Sequence, residues 1–155
     1  MVNYFNMENQ TEQHTEGDKL LDLEKFLEKQ RSEWGDRIME VIDMIRHMEK
    51  LSEAQVTMLS FRHMVIDQIA RINITLKKKE STYNIQYKNK FVEYFNYDYK
   101  LNDKQKVNMV EADLSSLNKQ IGFLSTQIDF FKECIKTLDN IGWAIKNKLN
   151  INELS

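Results

Sequence analysis

The chain contains no proline and only four glycines, the two residue types that most often interrupt a helix. In 155 residues this scarcity favours long uninterrupted helices over a β-sandwich or an α/β sheet. The single cysteine, Cys134, excludes an internal disulfide and a thiolate zinc cage, and it fits a reducing cytoplasm. The sequence therefore predicts an all-α protein of long helices in an antiparallel or coiled-coil arrangement.

Long apolar runs are also missing. None approaches the roughly 18 consecutive residues that a helix needs to cross a bilayer. The N-terminus is acidic and polar and lacks the apolar segment of a signal peptide. We therefore expect a cytoplasmic protein without a membrane partner.

Motifs for catalysis and for metal binding do not occur either. The sequence has no GxxxxGK[ST], GxGxxG or GxSxG motif. His14, His47 and His63 are not spaced as metal ligands, since the last two are sixteen residues apart. Cys134 has no histidine in its own segment that could activate it. We predict no catalytic residue, no metal and no cofactor.

The last third of the chain carries the most regular pattern. Its apolar residues alternate at spacings of three and four, which is the a/d pattern of a coiled coil. Three long helices leave little internal core for so regular a seam, so we expect it to hold copies of the chain together. The alternative is that it packs inside its own chain, in a three- or four-helix bundle. The residues predicted to oligomerise are Leu114, Leu117, Ile121, Leu124, Ile128, Phe131, Ile135, Leu138, Gly142 and Ile145.

Two details of this seam bear on the assembly. Its β-branched residues alternate with leucine and phenylalanine, an arrangement that favours dimers in parallel two-stranded coils. Gly142 occupies a seam position, where a glycine costs about 1 kcal/mol against alanine. It would allow a close helix approach or a local bend.

The remaining sequence divides at changes of composition. A disordered polar tail over 1–17 is predicted to precede a single helical domain over 18–155. The predicted segments of this domain are a helix over 18–50, a helix over 52–82, a Tyr- and Lys-rich connection over 83–103 and a coiled-coil region over 104–150.

Polar residues mark the expected starts of the helices. Asp18 is expected to cap the first helix, and Asp113 the last one. Ser52 and Gln55 have the spacing of a capping box, which predicts the start of the second helix.

Residues 71–106 form a basic and aromatic zone in a chain whose net charge is only −2. The zone holds nine basic and four acidic residues and five of the six tyrosines. Ammonium groups neutralise phosphates, and aromatic rings stack on bases of any sequence, so the zone predicts binding to single-stranded DNA. The alternative is that the rings pack between helices and the lysines are a solvated edge. The residues predicted to bind DNA are Lys77, Lys78, Lys79, Tyr87, Lys88, Lys90 and Tyr94.

Four short motifs lie in the second half of the chain. They are Val92-Glu93-Tyr94-Phe95, Glu111-Ala112-Asp113, Asp129-Phe130 and Gly142-Trp143-Ala144-Ile145-Lys146. Together they resemble the UvsY-type recombination mediators of large tailed phages, in which a Gly-[aromatic]-Ala-Ile-Lys run lies near the C-terminus. The resemblance covers Tyr87 to Leu154.

The resemblance implies a function in DNA recombination and repair. Mediators of this type form rings through their C-terminal helices, bind single-stranded DNA and help a RecA-like recombinase replace the single-strand-binding protein. For this chain it implies a hexamer or heptamer ring built by the helix from Leu114 to Leu149, phosphate contacts from Lys88 and Lys90, and action in the cytoplasm of an infected host cell. The alternative function is a coiled-coil scaffold or assembly chaperone that does not bind DNA.

Overall fold

A computed structural model describes residues 15–96 and 101–154, and the elements it shows there are helical. This confirms the predicted all-α class of long, packed helices. The elements are α1 (Glu16–Met44), a 3₁₀ turn (Met48–Lys50), α2 (Leu51–Phe95), α3 (Asp103–Asp113) and α4 (Ser115–Leu154).

α2 and α4 form an antiparallel pair. Near the start of α2, Arg62 donates from Nε to the Asp139 carboxylate late in α4, at 2.8 Å. Farther along α2, Lys79 donates to the side-chain oxygen of Gln120 early in α4, at 2.7 Å. These contacts fix the register of a long hairpin whose second arm is α3 followed by α4.

α1 lies against this hairpin and completes a three-helix bundle. It runs parallel to α4, because Arg31 bonds Gln127 at 2.7 Å while Lys148 donates to the carbonyl of Ile45, just past the end of α1. Glu16, the first residue of α1, lines the same cleft as Gln86 of α2 and Asp113 of α3. C-terminal to Gln86, the hairpin continues without α1 as two helices, α2 and α3.

The apolar core fills the centre of the three-helix part. Trp34 of α1 meets Phe61 of α2 and Phe131 of α4 edge to face, with ring centroids 5.7 and 6.1 Å apart. A second cluster, nearer the start of α4, is made of Leu27, Leu76, Leu124 and Ile128. All three helices contribute side chains to both clusters. Removal of any one of them would therefore expose the core.

Gln127 is a fully buried polar side chain in this core. Its amide nitrogen donates to the carbonyl of Leu27 at 3.2 Å and to the side chain of Gln30 at 2.8 Å, and its oxygen accepts from Arg31. A buried amide without partners would cost about 1–3 kcal/mol. Here every contact joins α4 to α1, so the amide favours one register of the two helices.

α2 continues through residues 83–95, so the predicted connection over 83–103 is wrong in that part. Tyr83, Tyr87 and Tyr94 are spaced by four and seven residues and are all half-buried on one side of α2. Packing on that side outweighs the modest helix propensity of Asn and Tyr, and no Gly or Pro interrupts the run.

The predicted helix starts are corrected in detail. Thr15 is the N-cap of α1, and Asp18 completes a capping box with it from inside the helix. Residues 1–14 of the predicted tail lie outside the described part. α2 starts at Leu51, directly after the 3₁₀ turn and one residue before the predicted start, but it has no side-chain cap, so only the capping box of Ser52 and Gln55 is wrong.

The C-terminal arm of the hairpin starts earlier than Asp113. Asn102 caps α3 in a capping box with Gln105, and Asp113 is the last residue of α3. Between α3 and α4 the backbone departs from helix only at Leu114, whose amide still bonds the carbonyl of Val110. The arm is thus one helical rod with a single irregular residue.

Gly142 lies where α4 approaches α2 closely. A Cβ added there would be 2.9 Å from the terminal methyl carbon of Met58. At Gly35 and Gly122 an added Cβ would meet nothing within 4 Å. Of the two expectations for Gly142, the structure favours close approach over a bend.

Replacing the two unobstructed glycines with alanine should stabilise the protein. Gly35→Ala and Gly122→Ala should each raise the free energy of unfolding by about 0.5–1 kcal/mol, because alanine loses less backbone entropy in a helix. Gly142→Ala should gain less, since Met58 must move. Urea denaturation measures all three. An equal gain for Gly142→Ala would mean that close approach is not the reason for this glycine.

Candidate nucleic-acid interface

The predicted DNA-binding residues all lie on the second half of α2, but on different faces of it. Lys77, Lys78 and Lys88 are exposed, whereas Lys79 and Lys90 are half-buried. An α-helix repeats its direction about every 3.6 residues, so position along the sequence decides which residues point together. The zone that looked uniform by composition therefore has an outer and an inner side.

The outer side forms a stripe that we call the basic stripe: Lys77, Lys88 and Phe95, with Lys78 beside it. Lys88 and Phe95 follow Lys77 by eleven and eighteen residues, about three and five helical turns, so all three point the same way. Phe95 is 67 % exposed. This stripe combines ammonium groups and an accessible aromatic ring on one face.

The inner side holds the two tyrosines that were predicted to bind DNA. The Tyr94 hydroxyl donates to the carboxylate of Asp113, and the Tyr87 ring lies 6.1 Å from that of Tyr83. Lys79 on this side is bonded to Gln120. Tyr94 therefore contacts the other arm of the hairpin, as the alternative interpretation of the zone expected, and Tyr87 is half-buried on the same side of α2.

Two of the lysines have acidic neighbours on the same helix. Lys77 lies 3.4 Å from Glu80, and Lys90 lies 3.3 Å from Glu93. These pairs are solvent-exposed, and such pairs contribute only about 0–1 kcal/mol. They reduce the local positive potential but leave the ammonium groups able to exchange partners.

Where α2 ends and α3 begins, the structure shows a contact that the sequence did not predict. The ammonium group of Lys106, on α3, lies 4.8 Å from the centre of the Phe95 ring. Because the two residues are on different helices, their meeting has no signal in local spacing. The outward direction of Phe95 was accessible from the sequence, since it follows from its distance to Lys77.

The residues predicted to oligomerise lie inside the monomer. Leu114, Leu124, Ile128, Phe131, Leu138 and Ile145 are buried, and Leu117, Ile121, Ile135 and Gly142 are half-buried. α4 packs against both α1 and α2, and these contacts cover the seam. The assignment of this seam to contacts between copies is therefore corrected. It forms the core of a three-helix bundle, which was the alternative.

Cys134 belongs to this core as well. Burial, with a smaller contribution from Glu133, raises the pKa of its thiol to about 11. Within residues 15–96 and 101–154, no group of three or more His, Cys, Asp or Glu side chains is placed to hold a metal ion. In the same ranges, no helix is long and apolar enough to span a bilayer.

Comparisons with models of protein families, with curated proteins and with solved structures find no match in any of the three. The resemblance to UvsY-type mediators stays a prediction from four short motifs.

A charge placed in the α4 seam should unfold the chain. Ile128→Asp puts a carboxylate among Leu27, Leu76 and Leu124, and an unpaired buried charge costs about 3–5 kcal/mol. We expect a large loss of thermal stability in circular dichroism. Thr126→Asp, two residues away and exposed, is the control and should melt like the wild type. A well-folded Ile128→Asp protein of reduced mass would instead place the seam between copies.

Proposed function

We propose that this chain is a non-catalytic adaptor that binds single-stranded DNA through the basic stripe and acts as a recombination mediator. The observation that carries the binding proposal is that Lys77, Lys88 and Phe95 share one exposed face of α2. Composition alone pointed to a zone, whereas this geometry supports a defined surface with both kinds of group that single-stranded DNA requires.

The dimensions of the stripe support a short binding site. From Lys77 to Phe95 it covers about 27 Å of helix axis at ~1.5 Å per residue. Sites of roughly 4–16 nucleotides are usual for folds that bind single strands without sequence preference. Because α2 is a continuous helix that packs along the hairpin, the backbone positions from which the lysines extend are fixed before DNA arrives.

The mediator role adds two protein partners, a RecA-like recombinase and the single-strand-binding protein. It is supported by the motif resemblance and by the absence of catalytic motifs from the sequence. It is tested by the rate at which a RecA-like recombinase assembles on DNA coated with single-strand-binding protein. Acceleration by this chain, lost together with DNA binding in stripe variants, is the expected result.

A second candidate function is a helical scaffold or assembly chaperone that does not bind DNA. It is favoured by the inner position of Tyr87 and Tyr94, which leaves two of the predicted stacking rings half-buried and engaged within the chain. If the chain has this function, the lysines of the basic stripe would bind an acidic protein partner.

Removing the two lysines of the stripe should weaken DNA binding and its salt dependence. Each phosphate contact contributes about 0.7 to the log–log slope with salt for single strands. Lys77→Ala with Lys88→Ala should therefore lower the slope by about 1.4, measured by fluorescence anisotropy with a labelled oligothymidylate. Lys25→Ala with Lys132→Ala removes the same charge from exposed positions on α1 and α4 and should leave the slope unchanged.

The ring of Phe95 gives a second readout in the same assay. Phe95→Ala should reduce affinity by about 1–3 kcal/mol if a base stacks on it. Tyr87→Phe keeps the inner ring and should change nothing. Equal loss in both lysine pairs would indicate binding by net charge alone, and no binding at low salt would favour the scaffold.

A further inference from the structure

The first half of α2 exposes a second row of apolar side chains on its outer side. Val56 is 69 % exposed and Ile74 58 %, and Leu59 and Ile66 between them are also exposed. With His63 and Ala70 they follow one another at spacings of three or four residues, the pattern of a helix-pairing seam. We call Val56, Leu59, His63, Ile66, Ala70 and Ile74 the outer seam.

The outer seam is distinct from the core face of the same helix. The core face uses Ala54, Met58, Val65 and Leu76, which are buried against α1 and α4. α2 is therefore apolar on two sides, and among residues 15–96 and 101–154 only one of these sides is covered. Contiguous exposed apolar rows of this kind mark interaction surfaces, whereas single exposed apolar residues are ordinary.

Trp143 widens this surface from α4. Asp139 and Trp143 lie one turn apart on the same face of α4, and Asp139 bonds Arg62 of α2. The neighbouring Gly142 lies against Met58, which puts Trp143 at the level of Leu59. Trp143 is 63 % exposed. Exposed tryptophans beside an apolar row are frequent anchors of protein interfaces.

We infer that the outer seam pairs antiparallel with the outer seam of a second copy of this chain. About a two-fold axis between His63 and Ile66, those two residues face each other, Leu59 faces Ala70 and Val56 faces the turn that carries Ile74. The small side chain of Ala70 thus leaves room for Leu59 of the other copy. An isologous contact of this kind closes on itself and yields a dimer.

The charges at the two ends of the seam select the antiparallel direction. Glu53 precedes the seam, and Lys78 follows it on the same flank of α2; both are exposed. Antiparallel pairing brings Glu53 of each copy to Lys78 of the other. Parallel pairing would leave Glu53 and Lys78 at opposite ends of the seam, so this attraction would be lost.

The outer seam alone gives a contact somewhat below the standard size. From Val56 to Ile74 it covers about 27 Å of helix axis, and half the accessible surface of such a helix is roughly 500 Å². Standard interfaces bury about 800 Å² per partner. Trp143 supplies additional area beside the helix.

Mass measurement tests the dimer. Sedimentation equilibrium at micromolar concentration should give twice the 18.6 kDa chain mass. Leu59→Asp with Ile66→Asp should weaken association at least a hundredfold and leave the helical circular dichroism unchanged, because both side chains are exposed. The control Phe26→Asp with Met39→Asp alters two exposed apolar residues of α1 and should remain dimeric. A monomeric wild type, or equal dissociation in both pairs, overturns the inference.

Cross-linking tests the orientation. Leu59→Cys with Ala70→Cys should give a covalent dimer on oxidation, because each thiol faces the other position in the partner. Within one chain the two positions are about 16 Å apart along the helix, too far for a disulfide. Val56→Cys alone should not cross-link in the antiparallel pair, whereas parallel pairing would cross-link it. Cys134 is buried and does not compete.

Charge exchange tests the same arrangement without cysteines. Glu53→Lys should weaken the dimer, and Glu53→Lys combined with Lys78→Glu should restore it. Restoration would fail if the two residues did not meet across the contact. None of these measurements uses DNA, so the dimer and the proposed DNA binding can fail separately.

Discussion

The structure depends on one constraint, which is that the apolar seam of α4 must be covered along its whole length. Phe131, Leu138 and Ile145 are fully buried, and neither α1 nor α2 alone covers the faces they occupy. A seam is a stripe rather than a complete core, so a single helix that carries one cannot be stable in water. The chain covers the seam of α4 by packing α2 antiparallel along it and α1 in the remaining groove.

Apolar packing alone would allow these helices several registers, and polar contacts select one. Gln127 has partners only where Leu27, Gln30 and Arg31 of α1 lie beside it. A slip by one turn would leave a buried amide unsatisfied, at a cost comparable to a sizeable part of the stability of a small domain. Arg62 and Asp139 do the same, more weakly, at the surface between α2 and α4. Register in turn decides which residues reach the outside of α2.

The sequence was sufficient for the fold class and for the seam, but not for the partner of the seam. Periodicity shows that Ile128 and Leu138 share a stripe, but it carries no information on whether another copy or the same chain covers them. The candidate site shows a similar division. Composition located the basic zone, whereas the helical phase counted from Leu76 separates inward Tyr87 and Tyr94 from outward Lys88. That phase was readable once α2 was known to continue past residue 82.

α2 connects the core to the candidate interaction surfaces, because its inner face packs within the chain and its outer face is exposed. Its inner face is apolar from Leu51 to Leu76 and continues as the tyrosine layer of the hairpin. Its outer face changes from apolar to basic near Lys77. In the proposed antiparallel dimer the apolar halves overlap, so the two basic stripes extend from this overlap toward opposite ends of the pair. Two weak sites joined rigidly bind one strand more tightly than either alone, provided that the strand spans both. Because the outer face of α2 changes from apolar to basic, assembly and DNA binding would use different parts of one helix. The dimer would still couple them, because it joins two DNA-binding stripes.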